Sequence, residues 1–170
     1  MYDVCVLVVD AARARFFVDR HEAPPAQFGG KAADAPSWDG RRLSEVADLV
    51  QPEARLASGE LASESRPGIG RGPSGQAHGY SDHRDAQRDH HDKQFAARVI
   101  EQAEACCREA DSRRLIVAAD PRMLGYLRQN GDRLKRANVA VRDVAKDLTR
   151  MRPDEIRQVL VKNELLPWTD

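Results

Sequence analysis

Val4-Cys5-Val6-Leu7-Val8-Val9 is an apolar run with no polar break. A strand with one face in water would alternate apolar and polar residues. An unbroken run belongs to a strand covered on both faces, and so to a sheet between helical layers. Arg114 to Ala119 (RLIVAA) repeats the pattern late in the chain. Two such strands call for an α/β core rather than a bundle or a sandwich. At 170 residues the chain has the length of one domain and can bury such a core.

The remaining elements follow from punctuation and period. Asp10-Ala11-Ala12 turns the chain, and Ala14 to Val18 reads as a hairpin partner of the first strand. Residues 22 to 41, rich in Pro, Gly and Ala, read as an irregular excursion. Leu43 to Val50 is a third strand. Asp85 to Ala110 is the longest helix, with Phe95, Val99, Ala103 and Cys106 at helical spacing and no Pro or Gly to interrupt them. Asp120-Pro121 is a helix start, the aspartate capping and the proline at the first helical position. Met123, Leu124 and Leu127 face inward, and Asn130-Gly131 ends that helix. Val139 to Val144 is the last strand, and Pro153 opens a final helix through Val159 and Leu160. The expected fold is a single α/β domain with a mixed five-stranded sheet flanked by helices, spanning residues 1–170 without internal repeats.

Between the third strand and the long helix lies Ser65 to Tyr80 (SRPGIGRGPSGQAHGY), with five glycines, two prolines, and Arg66 and Arg71. No acidic residue falls between Glu64 and Asp82. Such a segment cannot build a core, because glycine is costly to order and nothing in it is large enough to bury. A loop of this length inside a domain is functional or disordered.

Formal net charge is zero, so the whole-molecule field does not favour general polyanion binding. Placement is uneven, however. From Arg122 to Arg152 there are nine Lys/Arg against three Asp/Glu, which includes Arg128, Arg133, Lys135 and Arg136 as a candidate basic face. Cys5, Cys106 and Cys107 are odd in number, and two are adjacent, a poor disulfide framework. Reduced thiols in the cytoplasm are the simplest reading. The opening apolar run is too short for a signal peptide or a membrane span, so no membrane insertion is expected.

Five stretches carry a family resemblance: VLVVDAARARFF at the first turn, DLVQPEARLASGELASESRPG (Asp48 to Gly68), QFAARVIEQAE (Gln94 to Glu104), RLIVAADPRMLGYLR (Arg114 to Arg128) and VAKDLTRMRPDEIRQVL (Val144 to Leu160). Together they resemble the bacterial host attachment proteins, over nearly the whole chain. That family is in turn similar to the central domain of archaeal and eukaryotic class-I peptide chain release factors. The kinship implies a ribonuclease-H-like sheet topology and work at the ribosome or on tRNA. Release factors carry a Gly-Gly-Gln loop tip that helps water attack the peptidyl-tRNA ester. Here Ser74-Gly75-Gln76 stands in the corresponding loop, with serine in place of the first glycine. The resemblance implies Gly75 and Gln76 as catalytic candidates, and Arg66, Arg71, Ser74, Gly75 and Gln76 as RNA contacts. Glycines permit close backbone approach, and a glutamine amide can position water.

Other motifs say less. Gly70 to Gly75 matches Gly-x-Gly-x-x-Gly formally but lacks the preceding strand and opening helix that a dinucleotide needs, so no cofactor is expected. His83, His90 and His91, with Gln87, fall near one helical face. No established ligand spacing accompanies them, and the neighbouring aspartates are explained by the helix N-terminus, so no metal is expected. Arg13 and Arg15, next to Asp10, read either as phosphate ligands or as the polar face of a strand, and the second is favoured. Three functions stay open: a non-catalytic ribosome- or tRNA-associated factor in translation rescue or dormancy, a peptidyl-tRNA hydrolase acting through Gln76, and a protein-interaction module supporting attachment. Nothing in the pattern sets an oligomeric state.

Overall fold

A computed structural model describes residues 3–21, 40–52 and 80–167, with side chains in the long helix from residue 86 onward. The expected loop from Ser65 to residue 79, with Arg66, Arg71, Ser74, Gly75 and Gln76, lies outside the described residues, as does the side chain of His83.

The first apolar run is β1 (Val4–Val9), buried at all six positions. It turns into β2 (Arg13–His21), which pairs antiparallel with β3 (Arg41–Val50). The long helix α1 (Tyr80–Glu109) leads to β4 (Arg114–Ala119), which lies parallel to β1 on its other side. The helix α2 (Pro121–Gln129), the short α3 (Asp132–Arg136), β5 (Ala140–Ala145) and α4 (Pro153–Lys162) complete the order. The sheet runs β3-β2-β1-β4-β5, mixed and five-stranded, with β2 alone reversed.

Period explains both layers. Along β1, Cys5, Leu7 and Val9 enter one core with Phe95, Val99 and Ile100 of α1 and Met123, Leu124 and Leu127 of α2. Val4, Val6 and Val8 enter a second core with Phe17, Ile156 and Leu160. A strand that feeds two cores has no position to spare for a polar residue, hence the unbroken run. Asp120 caps α2 as expected, its Oδ1 accepting from Arg122 N at 2.9 Å and Met123 N at 3.1 Å.

Several boundaries differ from the sequence reading. β2 and β3 run past Val18 and begin before Leu43, because Asp19 is 1 % exposed and is neutralised in place. Its carboxylate accepts from Arg41 Nε and Arg157 Nε, each at 2.9 Å. α1 starts at Tyr80 rather than Asp85 and ends at Glu109. Residues 86–91 are exposed or half-buried and mostly polar, so apolar spacing becomes visible only from Phe95. α3, anchored by buried Leu134, has too few residues to show a period, and β5 is displaced by one residue. Among the described residues, no helix is long and apolar enough to cross a membrane.

Candidate functional site

Because β2 alone is reversed, the carboxyl ends of β1, β3, β4 and β5 share one edge. There Asp10, Gln51, Asp120 and Lys146 follow their strands. The chain builds outward from β1 to β3, then returns through β4 on the other side. Such a switch in strand order leaves a crevice at the carboxyl ends, the usual ligand position in open α/β sheets.

Three segments meet there. Asp10 shapes the β1–β2 turn, with Oδ1 accepting from Ala12 N and Arg13 N, both at 2.7 Å. Its Oδ2 accepts from Thr149 Oγ1 at 2.9 Å, and that hydroxyl also lies 2.6 Å from Asp147 Oδ1. The end of β3 joins the same corner through Gln51 N, which donates to Ala12 O at 2.8 Å.

Arg15 locks the third segment. Its Nε and Nη2 donate to the two carboxylate oxygens of Glu45 at 3.0 and 2.7 Å. Its Nη1 donates to Thr149 O at 3.0 Å and Met151 O at 2.7 Å. The guanidinium also stacks 4.9 Å from the Phe17 ring. This fork holds the Glu45 carboxyl below the usual carboxylate range, and the same hydrogen bond raises Arg15. Arg15 is 9 % exposed and its hydrogen-bonding groups are engaged by protein, so its role is structural, although it is buried rather than on an open polar face of the strand.

The result is an open cleft of ≈ 460 Å³ whose lining includes Arg13, Arg15, Arg150 and Arg152 but a single carboxylate, Asp10. Asp10 is already committed to two backbone amides and a hydroxyl. The arginines differ in their commitments. Arg13 reaches Asp48 at 3.2 Å through Nη2, while its buried Nε has no partner among the described residues. Arg152 pairs with Glu155 at 3.2 Å on the surface. Arg150 makes no ion pair among the described residues. Fork-shaped cations at a concave edge suit phosphate oxygens, and no paired acid and base converge in the lining.

The basic residues expected on α2 and α3 lie elsewhere, and two of them, Arg133 and Arg136, line a second groove of ≈ 400 Å³ together with Arg98. They are exposed but largely balanced. Arg128 forks onto Asp143 with both contacts at 2.9 Å, Arg133 pairs with Glu104 and Glu101, and Lys135 meets Asp132 at 3.0 Å. Arg136 Nε donates to Asp132 O at 3.4 Å. His90 and His91 sit edge to face with ring centroids 6.1 Å apart, and Gln94 Nε2 contacts His90 Nε2 at 2.9 Å. Among the described residues, no three His, Cys, Asp or Glu side chains gather as a metal would require.

Thr149 and Met151 escaped the sequence reading, and Arg150 and Arg152 entered it only as part of the basic region from Arg122 to Arg152. The available signal was two arginines immediately before a proline-opened helix, a place where backbone amides and cations converge.

A family model described as "Protein required for attachment to host cells" matches residues 5–160. The chain belongs to this host attachment family. The match begins within β1 and ends within α4, so every residue lining the edge cleft of this family member lies inside it. No curated protein matches the chain.

Proposed function

We propose that this host attachment protein is a non-catalytic cytoplasmic factor that associates with the ribosome or with tRNA, in translation rescue or dormancy. The supporting observation is the edge cleft, lined by four arginines, of which Arg150 makes no ion pair among the described residues and Arg13 is held by exposed carboxylates. A phosphate backbone is the ligand such a lining fits best. The glycine- and arginine-containing segment with Ser74, Gly75 and Gln76 follows β3, whose end bonds to the turn that carries Arg13. Arg128, Arg133, Lys135 and Arg136 would supply secondary contacts, since exposed ion pairs exchange partners at little cost.

The family description favours a second reading, a module that supports attachment to host cells. In this chain that effect would be indirect, through control of the synthesis of surface components. Catalysis through Gln76 is the third reading.

Sedimentation of lysate through a gradient separates them. A phosphate-binding factor travels with ribosomes at low salt and leaves them steeply as salt rises, because each phosphate contact releases counterions. Absence from ribosomal fractions even at low salt removes the translation reading. Loss of ester hydrolysis in Gln76→Ala would instead establish the catalytic reading.

A further inference from the structure

The edge cleft is not lined by charge alone. Met151, 37 % exposed, lines it together with Pro153 and Ala12. A bare anion would use the arginines and leave this apolar surface without purpose. The volume, ≈ 460 Å³, lies in the range of small-molecule sites.

We infer that the cleft takes one nucleoside monophosphate unit, its phosphate held by Arg13 and Arg150 and its ring laid against Met151 and Pro153. This rests on the reading of the protein as an RNA-associated factor and names the chemical unit that the site would recognise. Arg13 Nε is a buried donor without an acceptor among the described residues, so the hydrogen bonding of this guanidinium is incomplete, and its side chain as a whole is 43 % exposed. Its Nη2 is held only by exposed carboxylates, Asp48 at 3.2 Å and Glu45 at 3.9 Å, and such pairs are weak enough to yield. Arg150 brings a second fork with no competing ion pair among the described residues. Arg15 is a positioning residue. By holding the carbonyls of Thr149 and Met151 it fixes the backbone on either side of Arg150. Methionine adapts to a flat ring through its polarisable thioether.

Calorimetry on the full chain with AMP, adenosine, inorganic phosphate and hexa-adenylate tests this. AMP or hexa-adenylate should bind at least about tenfold more tightly than phosphate, and Arg150→Gln should weaken that binding by about tenfold, the loss of a charge-assisted contact. Met151→Ser should weaken AMP and spare phosphate. AMP binding marks a free nucleotide as the source, and hexa-adenylate alone marks an RNA strand. If neither binds, if phosphate binds as well as both, or if Arg150→Gln and Met151→Ser change nothing, the inference fails. The gradient separates the two levels. Nucleotide binding without ribosome association overturns the translation reading and keeps the site, whereas ribosome association without nucleotide binding does the reverse.

Discussion

Two carboxylates with opposite electrostatic histories show how far a residue's surroundings decide its behaviour. Glu45 is held ionised by the Arg15 fork, whose hydrogen bond outweighs the cost of partial burial. Its contribution is present above the ordinary carboxylate range and is lost as pH falls through its lowered folded value. Asp92 in α1 is 3 % exposed, and burial raises it, with Arg122 Nη2 at 3.5 Å only partly compensating. A raised carboxylate works the other way: it destabilises the fold increasingly as pH rises from the unfolded value through the folded one. Asp92→Asn is therefore expected to be more stable than the parent at pH 7, with the gain vanishing below about pH 4, where both forms of the parent are protonated. Glu45→Gln should show the opposite trend in the same urea titrations. A loss of stability in Asp92→Asn at pH 7 would mean that the Arg122 contact outweighs burial. Neither behaviour is visible in the one-dimensional pattern, where both residues look like ordinary surface acids.

Among the elements, α4 carries a large share of one face of the sheet with only 10 residues. A helix this short is marginal alone, so its stability comes from docking. Ile156 and Leu160, both fully buried, supply the apolar contact, and Arg157 reaches Asp19 on β2. Asp19 also accepts from Arg41, so one carboxylate ties β2, β3 and α4 together. Its removal would take a carboxylate at 2.9 Å from both Arg157 and Arg41, which is 5 % exposed and keeps Asp3 at 3.4 Å. Asp19→Ala should cost about 3–5 kcal/mol, the penalty for breaking a buried pair by deleting one partner. Chemical denaturation with an unchanged m-value would measure it, and a loss below about 1 kcal/mol would show the clasp to be solvent-screened. Strand existence and type were legible here from apolar runs and turns. The ends of β2 and β3 were not, because a charged residue reads as a strand terminus unless its partners, far along the chain, are known.

For the whole molecule, β1 sits between two cores and belongs to both. It pairs with β2 through a tight turn and with β4 across more than 100 intervening positions. Neither face can therefore melt without stripping the central strand of half its packing. Ile100→Val on one side and Ile156→Val on the other should each cost about 0.5–1.5 kcal/mol. Both should lower the midpoint of a single thermal transition, seen identically by far-ultraviolet circular dichroism and calorimetry. Two separable transitions would show that the layers unfold independently.

Hydrophobic period and helix punctuation are short-range properties, written within a few residues of where they act. They were enough to read an α/β domain, its element order and the α2 cap directly from the chain. The edge cleft is different in kind. Arg15 and Thr149 are 134 positions apart, and no local pattern connects them. Strand order alone brings the first turn beside the segment before α4. It also settles that Arg15 is consumed in holding that segment while Arg13 and Arg150 are left facing solvent. Charge counted along the chain pointed to α2 and α3. Charge placed in space is mostly paired there, and at the carboxyl edge of the sheet, where Arg13, Arg15 and Arg152 are paired as well, Arg150 makes no ion pair among the described residues.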